Sequence, residues 1–196
     1  MKIVFASNNT GKIRELNEFL KDQQIDLIPQ NALAVNEIEE TAVTFVENAL
    51  LKARHASRLT GLPALSDDSG LSVPYLHGSP GIYSARYAGK KSSAEDNIKK
   101  LLTQLEGVPD ENRHAFFYCV LVFLQHDEDP APLICAGKWP GIILHEPMGG
   151  NGFGYDPIFY IPELKKTAAE LPLTLKNKIS HRGIALQALL KLLSEK

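Results

Sequence analysis

The sequence predicts an α/β protein with a mixed central sheet and flanking helices. Short apolar runs rich in β-branched residues alternate with amphipathic helical segments in the first half of the chain, and a pair of long apolar segments dominates the middle. The 196 residues, 44% of them hydrophobic, are enough for a substantial core. We therefore expect a single domain over residues 1–196, built as one body or as two closely packed lobes.

The first half of the chain is predicted to contain short buried strands and helices with one apolar face. The predicted strands are 2–6, 25–29, 64–67 and 71–73, and the predicted helices are 11–21 and 41–59. Gly61 and Pro63 end the second helix. In this interpretation residues 68–70 form a tight acidic turn between two short strands.

The second half is predicted to contain two helices and the two longest strands. The helices are 93–105 and 180–194, and the strands 114–125 and 133–144 are joined by the polar loop HDEDPAP. The segments 77–81 and 147–157 are rich in glycine and proline. We expect them to be functional loops, because glycine allows the backbone to approach a ligand closely.

Composition and charge argue against several classes of protein. The net charge is −2 and there is no basic tract, so we expect no nucleic-acid partner. The N-terminal apolar run is too short for a signal peptide, and no apolar run approaches the ~20 residues that span a bilayer. Cys119 and Cys135 lie in apolar runs, which indicates buried free thiols. These features predict a cytoplasmic protein with no membrane partner.

The first segment with chemical character is SNNTGK, which follows the first predicted strand. Lys12 is preceded by five small or polar residues and stands at the start of a predicted helix; those residues are Ser7, Asn8, Asn9, Thr10 and Gly11. The segment lacks the GxxxxGK[ST] pattern of a Walker loop. A helix N-terminus with an added lysine attracts phosphate. An ordinary N-cap with a solvated lysine is the alternative, and this stretch alone favours the cap.

The second segment, ALSDDSGLSV, contains adjacent carboxylates at Asp67 and Asp68, followed by Ser69. Carboxylates are ligands for Mg²⁺, and one beside the metal can activate an attacking water. A simple Asx turn is equally compatible with the pattern. A further acidic cluster contains Glu39 and Glu40 just before a predicted helix, where acidic residues also suit the helix dipole.

Two later segments suggest recognition of a base. In GGNGFGYDPIF, aromatic residues and Asp156 lie in a glycine-rich loop, which could offer a stacking face and a hydrogen-bond acceptor, although a structural loop fits as well. In KNKISHRG, Lys176 precedes His181 and Arg182 at a predicted helix start, where solvated side chains are the alternative. The histidine spacing shows no zinc motif.

In this order and spacing the motifs resemble the inosine triphosphate pyrophosphatase family, also called the dITP/XTP pyrophosphatase family. The resemblance covers nearly the whole chain, through SNNTGK, TFVENALLKAR, DDSGL, GIYSARYAG, FGYDPIF and SHRG. SNNTGK matches the family's [ST]-x-N-x-x-K phosphate loop, with Asn8 where a glycine is common. The resemblance implies two lobes around a nucleotide-binding cleft, a homodimer, and hydrolysis of ITP, dITP and XTP to the monophosphate and pyrophosphate.

The resemblance also implies a role for each motif residue. Asp68 would be the general base and a Mg²⁺ ligand, with Glu39 or Glu40 as a further ligand. The remaining residues would contact substrate. Those at the phosphate end would be Ser7, Asn8, Asn9, Thr10, Gly11, Lys12, Ser69 and Lys176, with Lys52 as a further candidate. Those of the base pocket would be Phe153, Gly154, Tyr155, Asp156, His181 and Arg182.

Two other functions remain compatible with the sequence. One is a Mg²⁺-dependent nucleotide pyrophosphatase with a different base preference, which would share the acidic pair and the lysines. The other is a nucleotide-binding regulator without turnover, which would be expected to lack Asp68 or Lys12, and both are present. A panel of nucleotide substrates distinguishes these cases.

Overall fold

A computed structural model describes residues 1–21 and 23–195 and confirms a mixed α/β architecture. The strands are β1 (Lys2–Phe5), β2 (Asp26–Pro29), β3 (Ala64–Ser72), β4 (His114–Leu124), β5 (Leu133–Ile143), β6 (Phe159–Ile161) and β7 (Lys166–Thr167). The α-helices are α1 (Thr10–Leu20), α2 (Phe45–Thr60), α3 (Ala94–Gln104), α4 (Leu173–Ile179) and α5 (His181–Ser194).

In residues 1–21 and 23–195 the seven strands belong to one sheet, in the order β2-β1-β3-β4-β5-β6-β7. β1 is parallel to both β2 and β3, whereas β6 is antiparallel to β5 and β7. The parallel part contains the two short apolar strands that the sequence predicted, connected through helices as parallel strands require. The antiparallel pairs make the sheet mixed, as expected.

The chain divides into two compact units. Unit 1 comprises residues 1–68, 119–137 and 182–196, and unit 2 comprises residues 69–118 and 138–181. The core of unit 1 contains apolar residues of β1, α1 and α5, including Phe5, Leu16 and Leu186. Unit 2 has its own core around Trp139 and Phe159. Each unit therefore buries a separate hydrophobic cluster.

Helix starts follow side-chain capping more closely than apolar periodicity. The second predicted helix begins at Phe45 rather than at residue 41, because Thr44 has extended backbone and its side chain accepts the amide of Glu47. Ser93 and Asp96 form a capping box at the start of α3. The predicted helix positions are otherwise confirmed to within a residue or two.

The predicted acidic turn at residues 68–70 is wrong, because β3 is one continuous strand from Ala64 to Ser72. Two features make this possible. Asp67 and Asp68 both have cationic partners within unit 1, so their burial is compensated. Gly70 lies against the carbonyl of Gly81, where a Cβ atom would clash, so glycine here marks a close backbone approach within the strand.

The strand β7 and the helix α4 were missed. β7 has only two residues and α4 has seven. Elements of this length carry too few residues to show a period, so tertiary contacts decide them. α4 is relevant to the site prediction because it contains Lys176.

Within residues 1–21 and 23–195, no helix combines the length and the apolar character needed to cross a membrane.

Candidate functional site

The loop before α1 has the polar geometry of a helix cap with spare donors. Asn9 is the N-cap residue, and its side chain accepts the amide of Lys12 at 3.0 Å. Ser7 Oγ in turn accepts the amide of Asn9 at 3.2 Å. The amides of Thr10 and Gly11 have no hydrogen-bond acceptor among residues 1–21 and 23–195. The cap therefore forms, and it leaves the helix N-terminus able to bind an anion.

Asp67, on β3, is fully buried and is contacted by basic side chains of unit 1. Its Oδ1 forms an ion pair with Lys12 Nζ at 2.6 Å, and its Oδ2 accepts Arg182 Nε at 2.7 Å. Arg182 also pairs with the buried Glu15 on α1. Burial alone would raise the pKa of Asp67, but the adjacent Arg182 and Lys12 hold that pKa well below its usual range. Asp67 is therefore ionised.

Asp68 faces a different lysine. Its Oδ1 accepts Lys52 Nζ at 2.7 Å, and the same Nζ contacts Glu40 Oε1 at 2.8 Å. Asp68 Oδ2 is buried and has no hydrogen-bond partner among the described residues. Burial raises the pKa of Asp68 to about 6, against the opposing charges of Lys52 and Lys12. This carboxylate thus has one oxygen held by a cation and one available for chemistry.

The structure separates the two glutamates that the sequence left as alternatives. Glu40 is partly buried and lies on Lys52, while Glu39 is exposed. The segment after Glu40 is fixed by the buried side chain of Asn48, which accepts the amide of Ala42 at 3.0 Å and donates to its carbonyl. Of the two glutamates, Glu40 is the one seen to share a lysine with Asp68.

The carboxylates of Asp68 and Glu40 fit a hard divalent cation. Both contact one Lys52 ammonium, so they lie close together, and Asp68 Oδ2 is a buried oxygen without a partner. Within the described part of the chain, no group of three or more His, Cys, Asp or Glu side chains is arranged to hold a metal. Two carboxylates are the usual protein share for Mg²⁺, which takes its other ligands from water and substrate phosphates.

The charge of this cluster also favours a cation. Within unit 1, the described ion pairs around Asp67 and Asp68 join three basic side chains to four carboxylates; the basic side chains are Lys12, Lys52 and Arg182, and the acidic ones are Glu15, Glu40, Asp67 and Asp68. An excess of negative charge repels a nucleotide triphosphate. A divalent cation would reverse the sign of the site.

Unit 2 contains the glycine-rich loop and Lys176. Asp156 Oδ2 accepts the amide of Phe153 at 2.8 Å and forms a buried ion pair with Lys176 Nζ at 2.6 Å. Lys176 Nζ also lies 5.0 Å from the centroid of the Phe153 ring. Gly152 has a φ of +78° and packs on the carboxylate, where a Cβ atom would clash. The Asp156–Lys176 pair therefore orders the loop that presents Phe153.

The other predicted base-pocket residues have buried partners. Tyr155 donates from its hydroxyl to the carbonyl of Ser84 at 2.9 Å, and burial raises its pKa. The ring of His181 stacks on Phe117 with a centroid distance of 4.8 Å. Within unit 1, Arg182 contacts Glu15 and Asp67. The roles of Phe153, Gly154, Tyr155, Asp156, His181 and Arg182 in base binding stay predictions, as does phosphate binding by Lys176 and Ser69.

Sequence reasoning did not include Asp67 or Glu15 among the site residues. Asp67 stood next to Asp68 in the same motif, and a strand assignment would have placed the two side chains on opposite faces. Glu15 follows Lys12 by three residues, which puts both on one side of α1. Arg182 contacts both Asp67 and Glu15, and it is too distant from them in sequence for a local pattern to reveal these contacts.

The fold is that of an α/β protein, and this cluster combines buried carboxylates with lysine and arginine side chains. The model of the Ham1 family matches residues 3–192, and the chain belongs to that family. It is 57% identical over 194 residues to the dITP/XTP pyrophosphatase of Yersinia pestis, covering 99% of this chain and 98% of that protein. It is 56% identical over 189 residues to the dITP/XTP pyrophosphatase of Escherichia coli strain K12, covering 96% of each.

Solved structures agree with this assignment. A Ham1 protein from Coxiella burnetii is 52% identical, covers the full length of both chains and has a TM-score of 0.92. The Staphylococcus aureus Ham1 protein is 42% identical, again over the full length of both chains, with a TM-score of 0.86. At these levels of identity and coverage the fold assignment applies to the whole chain.

Proposed function

We propose that this protein is a nucleoside triphosphate pyrophosphatase that hydrolyses ITP, dITP and XTP to the monophosphate and pyrophosphate. The observation that carries the proposal is Asp68, whose unpartnered buried oxygen lies in a cluster with Lys12 and Lys52. The full-length relatives named dITP/XTP pyrophosphatases support the choice of substrate. The same activity would cleanse a nucleotide pool of these purines.

In the proposed reaction Asp68 Oδ2 takes a proton from a water molecule as the water oxygen attacks the α-phosphorus. The bond between the α-phosphorus and the bridging oxygen breaks, and pyrophosphate leaves with the electron pair. Lys12 and Lys52 neutralise phosphate charge, and the amides at the start of α1 donate to phosphate oxygens. Catalysis of this kind depends on positioning and charge stabilisation.

We propose Mg²⁺ as the cofactor, held by Asp68 and Glu40. When bound, it would supply Lewis-acid polarisation of the phosphates and offset their charge. Lys52 contacts the same two carboxylates, so a cation that binds there competes with the Lys52 ammonium. A cytoplasmic location, which the composition predicted, remains part of the proposal. So does a homodimer, which the resemblance implied and which sedimentation equilibrium tests.

The reaction is tested by product analysis on ITP, dITP, XTP, ATP and GTP, with and without MgCl₂. We expect IMP and pyrophosphate in equal amounts from ITP, no IDP, and no turnover after chelation of the cation. For ATP, kcat/KM should be lower by ~10-fold or more, because a mismatched buried polar group costs ~1–3 kcal/mol. Phosphate release with accumulation of IDP would contradict α-phosphorus attack. Equal turnover of ATP and ITP would favour a pyrophosphatase with another base preference.

Glu40→Gln should weaken activation by Mg²⁺ about 3- to 10-fold, because the amide lacks the charge that attracts a hard cation. Glu39→Gln is the matched control, since the neighbouring side chain is exposed. We expect its activation curve to remain within about 2-fold of wild type, as is usual for an exposed residue. The measurement is the MgCl₂ concentration at half-maximal dITP turnover. A larger effect of Glu39→Gln than of Glu40→Gln would assign the ligand role to Glu39 instead.

A further inference from the structure

Asp67 contacts both lysines of the proposed phosphate site. Its main-chain carbonyl oxygen accepts hydrogen bonds from both ammonium groups, from Lys12 Nζ at 3.2 Å and from Lys52 Nζ at 3.0 Å. Its carboxylate adds a direct ion pair to Lys12 alone, at 2.6 Å. Lys52 has carboxylates of its own, from Asp68 and Glu40. Asp67 therefore supplies the carboxylate that balances Lys12.

The side chain of Asp67 is itself held in place. Arg182 Nε and the thiol of Cys119 both donate to Oδ2, at 2.7 Å and 3.4 Å, and Arg182 is fixed in turn by Glu15. These contacts come from α5, β4 and α1, so three elements of unit 1 set the position of Oδ1. An oxygen fixed in this way is a rigid attachment point for a flexible lysine.

We propose that Asp67 is a positioning residue that acts through Lys12, holding the Lys12 ammonium in place for the triphosphate. This inference rests on the proposed function. A free lysine side chain loses up to ~2 kcal/mol of rotamer entropy when it is ordered on a ligand. Asp67 makes that ordering part of the folded structure, because Lys12 is already fixed before phosphate binds. The carboxylate also offsets the repulsion between the ammonium groups of Lys12 and Lys52.

The competing view is that Asp67 only neutralises the buried Arg182. That view predicts a loss of stability without any specific link to Lys12. The positioning role predicts that the effect of changing Asp67 depends on Lys12 being present. A double-mutant cycle separates the two, because it measures whether the effects of two substitutions are independent.

The experiment measures binding of inorganic tripolyphosphate by calorimetry, with MgCl₂ present, to wild type, Asp67→Asn, Lys12→Met and the double variant. We expect Asp67→Asn to weaken binding by ~10-fold when Lys12 is intact and by less than ~2-fold when Lys12→Met is also present. Equal losses in the two backgrounds would overturn the proposal, and so would an Asp67→Asn variant that binds like wild type. Melting temperatures confirm that each variant is folded.

Glu15→Gln provides the structural control, because it removes a carboxylate from Arg182 without touching Lys12. Because Glu15 is linked to Lys12 only in series, through Arg182 and Asp67, its coupling to Lys12→Met should be clearly smaller than that of Asp67→Asn. If Asp67→Asn does not yield folded protein, Asp67→Glu replaces it, since this variant keeps a charge for Arg182 but displaces the oxygen that faces Lys12. Turnover of dITP by the wild-type protein reports separately on the proposed function, since tripolyphosphate binding requires no hydrolysis and no base.

Discussion

Replacing Asp68 with asparagine should lower kcat by ~10²-fold or more, which is the usual contribution of a general base. The amide keeps the shape of the side chain and can still contact Lys52, but it cannot take a proton from water. Steady-state turnover of dITP at saturating MgCl₂ is the measurement. Asp110→Asn, which changes an exposed carboxylate in unit 2, is the control and should retain wild-type kcat. A kcat close to wild type in Asp68→Asn would exclude Asp68 as the base.

The same variant should differ in stability from the wild type in a pH-dependent way. Burial raises the pKa of Asp68 to about 6 in the folded protein, above the unfolded value of about 3.9. Because the folded pKa is raised, the protonated carboxyl stabilises the folded protein. This stabilisation is fully present at pH values below the unfolded pKa, and it is lost as the pH rises through about 6. In cation-free buffer, Asp68→Asn should therefore melt above the wild type near neutral pH, and this advantage should shrink on acidification. Mg²⁺ should stabilise the wild type more than Asp68→Asn, which lacks one of the two proposed carboxylate ligands.

Replacing Lys52 with methionine should have opposite effects on catalysis and on cation binding. Loss of a cation that stabilises phosphate charge should lower kcat by ~10²-fold or more. Lys52 Nζ also occupies both proposed cation ligands, Asp68 and Glu40. Without it the two carboxylates repel each other and attract a divalent cation more strongly, so the Kd for Mn²⁺ or Mg²⁺ should fall by ~10-fold, equivalent to ~1.4 kcal/mol.

Lys12→Met is the matched control for this prediction. Within unit 1, Lys12 forms an ion pair with the carboxylate of Asp67, whereas Lys52 contacts Asp68 and Glu40 directly. Lys12 acts on Asp68 through its charge alone, so Lys12→Met should reduce turnover and tighten cation binding much less than Lys52→Met does. Titration calorimetry of both variants without nucleotide gives the cation affinities. Weaker cation binding by Lys52→Met would show that Lys52 supports the metal ligands instead of competing for them.

The parts of the fold with a strong local signal could be predicted from the sequence. The long apolar runs of β4 and β5 and the apolar face of α1 predicted their own secondary structure, because these patterns extend over eleven residues each. The segment 64–72 could not be assigned in this way. Its two aspartates favour a turn by local propensity, and only their tertiary ion pairs make a buried strand possible.

The candidate site shows the same division between local and distant information. The order of the motifs pointed to Lys12, Asp68 and the acidic segment as candidates. The sequence could not choose between the neighbouring Glu39 and Glu40, because which side chain turns toward Asp68 depends on how the backbone of the segment is held. In the structure the buried Asn48 holds this segment through its two hydrogen bonds to Ala42, and Glu40 as the metal ligand remains a proposal. The link between Glu15, Arg182 and Asp67 joins residues far apart along the chain, which a single sequence does not show.

The thiol of Cys119 has a consequence for the redox chemistry of the protein. It is fully buried and donates to Asp67 Oδ2, and burial together with that carboxylate raises its pKa well above the usual value. A cysteine reacts with oxidants and alkylating agents as the thiolate, and this one stays protonated. The charged centre therefore contains a sulfur atom without offering a nucleophile, so peroxide or iodoacetamide should leave the enzyme active for as long as unit 1 stays folded.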